Sequence, residues 1–369
     1  MGARRAAAER VTAAGYPQDT IRLRGFERRF TPANLLALLQ SALATPRAAR
    51  ILRRRKADVV LGSGSYVVGP VALAARLRRR GLVLMEADSH LGLANRMSAP
   101  MASHVTLAFP LPGRRPPRYR VTGRPVDDAV RSATRTGGRR TFGIDPDATV
   151  VLVVGGSQGA RTLNQASIEA FGDGPPFDLI HVAGPGQVDA VRGELASHAP
   201  GRRYRLFDYL DNLPEAIAAA DLVVARSGGS VFELAAIGRP AVLVPYPHAT
   251  ADHQAKNARW LAEAGAAVVL TDEECSGPAL RELVGALLVD RDRLEVMAAA
   301  SRGAGRPEAA EHVADAVMEA AVRRRARRLR VPRPRVPRPR VPRLRPRERT
   351  ARRRLRIPRP RLRRGGSGE

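Results

Sequence analysis

Short unbroken runs of apolar residues, each followed by a stretch of helical spacing, constrain this chain more than anything else in it. The runs fall at 20–23, 58–62, 82–86 and 105–109, then at 149–154, 179–183, 204–207, 222–225, 241–245 and 267–270. They are continuous rather than alternating, the pattern of strands covered on both faces. Helical spacing lies between them at 163–171, 213–220, 231–237 and 254–264. Strand and helix in alternation predict an α/β protein with doubly wound parallel sheets.

Two domains fit the length of 369 residues with 44% apolar content. Aromatic residues make up only 4%, so Ala, Val and Leu must build the cores. A single cysteine, Cys275, excludes an internal disulfide framework and a cysteine-based zinc site. No apolar run reaches the roughly 18–20 residues of a membrane span, and the first ten residues lack an apolar signal-peptide segment. A soluble or peripheral protein is expected.

The net charge of +28 is unevenly placed. Residues 321–369 hold twenty-two arginines against Glu348 and Glu369, which leaves +8 for the rest. Three five-residue units beginning at Val331, Val336 and Val341 repeat Val-Pro-Arg. Proline at that density forbids helix and like charge keeps the segment extended, so a disordered Arg/Pro tail is expected over 323–369. Residues 112–118 and 128–140 read as linker-like. The expected division is a first domain over 1–127, a linker over 128–145, a second domain over 146–307 and a final helix over 308–322.

The strongest motif is Val151-Leu-Val-Val-Gly-Gly-Ser-Gln-Gly-Ala-Arg161, a buried strand entering a glycine turn and then a helix. Glycines let the backbone approach a phosphate, and the free N–H groups of a helix start attract its charge. Gly156, Ser157 and Gln158 are the expected phosphate ligands. A plain tight turn needs fewer glycines.

The block Ala225-Arg-Ser-Gly-Gly-Ser-Val-Phe-Glu233 repeats the arrangement. Glu233 either accepts hydrogen bonds from a ribose diol or simply sits well at a helix start. Two such loops favour a ligand, because ligands of open α/β sheets gather at the carboxyl ends of the strands. The loop 245–257 adds His248, Asp252, His253 and Gln254, polar groups suited to sugar hydroxyls. Its two histidines lack a third ligand for a metal.

Earlier, Val60-Leu-Gly-Ser-Gly-Ser-Tyr-Val-Val-Gly-Pro70 is a further, less specific glycine loop. Glu86, Asp88 and His90 follow the next strand at a cleft edge, where one of them is a candidate cap for the following helix. Residues 32–56 pair Leu35, Leu36, Leu38, Leu39 and Leu43 with Arg47, Arg50, Arg53, Arg54, Arg55 and Lys56. That pattern suits an interfacial membrane helix and equally a core helix with a solvated basic end.

Together these residues resemble the MurG family of nucleotide-sugar glycosyltransferases. The run 155–161, the Ser-Gly-Gly-Ser-Val-Phe-Glu block and the His-x4-His-Gln-x2-Asn-Ala block look like its donor domain. Gly15-Tyr16, the block 24–29, the loop 62–70 and residues 86–96 look like its acceptor domain. The resemblance, over residues 5–320, implies two Rossmann-like domains of the GT-B type. It implies transfer of N-acetylglucosamine from UDP-N-acetylglucosamine to undecaprenyl-pyrophosphoryl-muramyl pentapeptide in peptidoglycan synthesis, with no cofactor and no metal. Ser157 and Gln158 would hold the diphosphate, Leu210 the uracil through its backbone, and Gly228, Gly229, Ser230, Val231, Phe232 and Glu233 the diphosphate and ribose. Gln254 with His253 would contact the sugar, while Gly62, Ser63, Gly64, Tyr66 and Gly69 would face the acceptor's pyrophosphate.

Three departures stand out. Met85-Glu-Ala-Asp88 replaces His-Glu-Gln-Asn, so Asp88 stands where an Asn reads the sugar. Gly123-Arg-Pro-Val-Asp127 replaces Gly-Asn-Pro-Val-Arg, moving the arginine to Arg124. The family's opening βα unit, whose Gly-Gly-Thr-Gly-Gly-His loop carries its candidate base, has no counterpart here. The first domain is therefore expected to lack that unit, and none of the seven histidines takes the base's place.

A related transferase with another lipid or small-molecule acceptor is the second reading. A nucleic-acid or anionic-surface binder acting through the arginine tail is the third. The tail lacks the interleaved aromatics that stack on bases, so nucleic acid is the weaker partner and an anionic membrane face in the cytoplasm the stronger.

Overall fold

The structure, a computed structural model, describes residues 11–21, 23 and 32–329, with the backbone alone for 32–39 and 325–329. The block 24–29 and the Arg/Pro repeats lie outside the described residues. Both sheets belong to one compact unit that ends at Leu329.

The first sheet has four parallel strands in sequential order: β1 (Val59–Gly62), β2 (Gly81–Glu86), β3 (His104–Leu107) and β4 (Tyr119–Val121). Helices α1 (Pro32–Arg54), α2 (Val68–Leu77) and α3 (Leu93–Ser98) accompany it. Thr20, Ile21 and Leu23 belong to no strand, against the expectation for 20–23. β4 lacks an apolar run and exists because it pairs with β3, Val105 opposite Tyr119 and Leu107 opposite Val121.

The second sheet has six parallel strands in the order β10–β9–β8–β5–β6–β7. These are β5 (Val150–Val154), β6 (Asp178–Val182), β7 (Tyr204–Phe207), β8 (Leu222–Ala225), β9 (Ala241–Leu243) and β10 (Ala267–Val269). The chain builds outward from β5 to β7, then returns to lay β8 on the other side of β5. That reversal explains the unbroken apolar runs. Val151, Val153, Leu179, Leu222 and Val224 face a core closed by α6 (Arg161–Phe171), α7 (Val188–Leu195) and α11 (Gly277–Val289). Val150, Leu152, Ile180, Val223 and Leu243 face the opposite core, closed by α8 (Leu213–Ala219), α9 (Ser230–Ile237) and α10 (His253–Glu263). The pleat sends alternate residues to opposite faces, and both faces are dry.

The segment expected as linker carries two short helices, α4 (Asp128–Ser132) and α5 (Arg135–Thr141). Each has a side-chain cap: Asp127 accepts from Ala129 N–H at 2.9 Å and Thr134 from Gly137 N–H at 3.1 Å. After α12 (Arg291–Ala304), the last helix, α13 (Ala309–Leu329), runs past the expected end at 322 and returns to the first sheet. Ala316 and Ala320 are buried against Val83 on the face of β2 that α2 leaves open. Glu319 joins Arg120 at 2.8 and 2.9 Å and His104 at 3.3 Å, tying that helix to β3 and β4.

Candidate functional site

The order reversal in the second sheet places β5 beside β8, Val154 opposite Ala225. The two glycine loops therefore leave the sheet side by side at its carboxyl edge, where open α/β sheets hold ligands. Arg226 N–H donates to Val154 O at 3.3 Å, and Val244 N–H to Ala225 O at 2.9 Å, which brings the loop after β9 alongside.

In the loop after β5, Gly156, Ser157 and Gln158 are exposed, and Gly156 and Gly159 have φ of +84° and +75°. A β-carbon at Gly159 would lie 2.2 Å from Ala183 O, so glycine is required there for space as well as conformation. Gly159 N–H closes a turn onto Gly156 O at 3.0 Å. The N–H groups of Gly156, Ser157 and Gln158 meet no acceptor among the described residues. They are free for an anion.

The loop after β8 is held from beneath. Ser227, fully buried, donates to Gln254 O at 2.8 Å. Asn257 Nδ2 donates to Ser227 O at 3.0 Å and Gly228 O at 3.3 Å. Arg226 bonds the carbonyls of Val244 and Pro245 at 3.2 Å, pairs with Asp272 at 2.5 Å and lies over Tyr246. Gly229 and Ser230, exposed and half-buried, begin α9. Val231 and Phe232 turn their side chains into the core, and their N–H groups bond back to Gly228 and Gly229. These two residues thus offer a ligand no side chain.

Glu233 lies half-buried in the first turn of α9. Burial pushes its carboxyl above the ordinary glutamate range; Arg124 pulls it down and Asp127 pushes it up. Arg124, from the loop after β4, reaches across to this helix. Its guanidinium lies 5.7 Å over the Phe232 ring. Half-buried, it has no hydrogen-bond or ion-pair partner among the described residues. Spacing in the sequence gives no sign of this contact, which depends on how the first domain meets the second. Phe109, after β3, makes the same crossing, its ring 4.9 Å from Phe232 and 5.1 Å from Trp260.

At the loop after β9, Ala251 and Asp252 adopt φ of +56° and +57°, strained for residues with a β-carbon. His253 Nδ1 meets Thr250 O at 2.9 Å, and Gln254 Oε1 accepts from Tyr246 N–H at 3.0 Å. The Gln254 amide nitrogen donates to no acceptor among the described residues. Leu210 packs its side chain against the second core and leads from β7 toward the same edge.

The first-domain loops are less fully brought in. Gly62 is buried, Ser63 exposed, Gly64 has φ of +84°, and Tyr66 is half-buried. Gly69 lies inside α2 rather than in the loop, because Val68 N–H already bonds Ser65 O and opens the helix. Glu86 serves as the loop's own brace: it accepts from Asp88 N–H, Gly92 N–H and Asn95 Nδ2 at 3.2, 2.9 and 2.9 Å. Asp88 itself is exposed and touches none of the second-domain loops through a hydrogen bond.

Comparison with known proteins bears on the same residues. Residues 1–107 match the glycosyltransferase family 28 N-terminal domain and residues 150–313 the glycosyltransferase family 28 C-terminal domain. The UDP-N-acetylglucosamine–N-acetylmuramyl-(pentapeptide) pyrophosphoryl-undecaprenol N-acetylglucosamine transferase of Moorella thermoacetica is 39% identical over 323 residues, 85% of this chain and 87% of the relative. Its namesake in Desulforudis audaxviator is 38% identical over 325 residues, with the same coverage. Among solved structures, Acinetobacter baumannii MurG superposes with a TM-score of 0.70 at 28% identity, over 85% of this chain and 88% of that one. A UDP-N-acetylglucosamine 2-epimerase from Listeria monocytogenes, at 18% identity and a TM-score of 0.59, shares the fold.

Proposed function

The chain belongs to glycosyltransferase family 28, among the N-acetylglucosamine transferases that use lipid-linked muramyl pentapeptide, and we propose how its own residues carry that reaction. It is a hexosyltransferase of peptidoglycan synthesis, moving N-acetylglucosamine from UDP-N-acetylglucosamine to the muramyl sugar hydroxyl with inversion. One observation carries the donor assignment: two glycine loops with unspent N–H groups stand side by side where β5 meets β8.

Residues 146–307 form the donor domain and residues up to 127 the acceptor domain. The N–H groups of Gly156, Ser157 and Gln158 and the start of α9 at Gly228–Ser230 receive the diphosphate. As the glycosidic bond breaks, negative charge grows on that diphosphate, and fixed dipoles aimed at it lower the barrier. Arg124 adds a full positive charge from the acceptor side. Glu233 takes the ribose hydroxyls, Leu210 brackets the uracil, and Gln254 with His253 reads the sugar. Asp88 stands toward the donor sugar, and the loop from Gly62 through Tyr66, with Gly69 in the first turn of the helix that follows it, faces the acceptor's pyrophosphate.

Each of the three helices pairs exposed apolar tips with exposed arginines: Leu43 with Arg47 and Arg50 on α1, Leu73 and Leu77 with Arg76 on α2, and Leu93 and Met97 with Arg96 on α3. Apolar tips beside cations favour an anionic membrane surface, so this face is the one that meets the lipid acceptor peripherally, from the cytoplasm. No helix of the described residues is long and apolar enough to cross a membrane. On α1, Ala44, Ala48, Ala49 and Leu52 are buried, so that helix also packs the core.

Calorimetric titration with UDP-N-acetylglucosamine, UDP-glucose and GDP-mannose tests the donor. Tightest binding of the first is expected, and equal affinity for all three overturns the assignment. Sedimentation with phosphatidylglycerol vesicles tests the membrane face, which predicts retention lost at high salt.

A further inference from the structure

The phosphate loop after β5 is braced by a residue outside every glycine motif. Gln187, in the loop after β6, donates from Nε2 to Gln158 O at 3.1 Å. Its Oε1 accepts from Asn164 Nδ2 at 2.9 Å, and the same Nδ2 donates to Ala183 O at 3.0 Å. Both hydrogens of the Asn164 amide are then used, so its Oδ1 accepts the bond from His181 Nε2 at 3.0 Å. His181 carries its proton on Nε2, which leaves Nδ1 to accept from Tyr204 OH at 2.7 Å. Every link fixes the direction of the next, from Tyr204 in the core out to Gln158. His181 is fully buried, and burial holds its pKa down at about 3, so it stays neutral and its proton stays in place at cellular pH.

The outer link acts on one peptide. Between Gln158 and Gly159 the N–H is held by Gly156 O and the carbonyl by Gln187. Gly159, at φ +75°, imposes little conformational restraint of its own. Without Gln187 that peptide is held by the Gly159 N–H bond to Gly156 O alone, and a flip that breaks this one bond turns the carbonyl toward the loop's open side, where an oxygen repels an anion.

We propose that Gln187 is a positioning residue for the donor diphosphate, the outer end of a directed relay from Tyr204 that keeps the Gln158 carbonyl turned away from the phosphates. The proposal rests on the donor reading above and assigns Gln187 no contact with the nucleotide. Gln187→Met removes both hydrogen bonds at similar volume and no charge. Gln187→Glu keeps an acceptor for Asn164 but sets an anion against the Gln158 carbonyl.

Titrations of the full chain with UDP and with uridine separate the effects. Gln187→Met should bind UDP about 5- to 10-fold more weakly, the worth of one or two net hydrogen bonds, and Gln187→Glu more weakly still. Uridine affinity should stay at the wild-type value in both, since uridine has no phosphate. Unchanged UDP affinity in Gln187→Met overturns the proposal, and so does an equal loss for uridine, which marks general damage to the fold. Failure of the wild type to bind UDP counts against the donor reading itself.

Discussion

The Arg124 guanidinium lies 3.2 Å from the point where a β-carbon would stand on Gly229. A cation of the first domain thus lies beside the helix start proposed to receive the donor in the second. Its charge adds to the partial positive charge of α9 rather than opposing it. Glu233 in the first turn of α9 offsets part of that charge, and Arg124 makes no ion pair among the described residues, so a bound anion would complete the balance.

Arg124→Ala is therefore expected to weaken UDP binding about 10- to 100-fold, the range for hydrogen bonds to charged groups. Uridine binding should change little. Arg124→Lys should recover part of the loss, because it restores the charge without the fork. Calorimetry on the two variants checks this, and an unaffected Arg124→Ala would remove the residue from the site.

The ribose role proposed for Glu233 gives the donor site a pH dependence with a definite sign. A protonated carboxyl is a weaker acceptor for the two ribose hydroxyls than a carboxylate, so affinity should fall as the pH drops through its pKa. Burial raises that pKa, which brings the acid limb closer to neutrality than for an ordinary glutamate. Removing Arg124 takes away the charge that opposes the rise, so the limb in Arg124→Ala should move to higher pH. In Glu233→Gln it should vanish, with weaker binding at neutral pH. Uridine titrations from about pH 4 to 8 read all three forms.

His181 should limit stability in acid. An unfolded histidine takes a proton below about 6.5, whereas His181 does so only at about 3. Between those values the unfolded state binds more protons, and stability falls by about 1.4 kcal/mol per pH unit as the pH drops. Above the upper value this contribution is fully present. Urea unfolding of His181→Asn should show lower stability at neutral pH and a shallower decline toward pH 4.

The second domain was legible because its strands are dry on both faces, so Val150–Val154 and Leu222–Ala225 read as unbroken apolar runs. Its glycine loops were legible because a tight strand-to-helix turn has few spellings. What escaped depends on distance in the chain. Tyr119–Val121 becomes a strand through pairing with β3, and Gln187 finds Gln158 only because β6 lies beside β5. Glu86 reads from its place after a strand as either a cleft-edge group or a cap for the following helix, and its carboxylate is spent on Gly92 and Asn95. Position suggested chemistry there, and hydrogen bonding decided it.

Asp221 carries the last expectation, because it fastens the segment between the domains to the base of the second sheet. Its Oδ2 meets Arg139 Nη2 at 3.0 Å and accepts Val150 N–H at 2.8 Å, while Oδ1 pairs with Arg135. Arg139 is 2% exposed and also donates to the carbonyls of Ala219, Asp145 and Pro146. Asp221→Ala leaves that guanidinium buried without a counter-charge and Val150 N–H without an acceptor. Breaking a buried pair from one side costs about 3–5 kcal/mol, a large share of the roughly 5–15 kcal/mol that holds a protein folded. Asp221→Asn keeps the acceptor for Val150 and should lose less. The double variant Arg139→Leu, Asp221→Leu removes both charges, so it should be more stable than Asp221→Ala despite carrying one more substitution. Urea melts of the three variants order them, and a double variant less stable than the single one would show that Arg139 acts through its carbonyl bonds rather than through the pair.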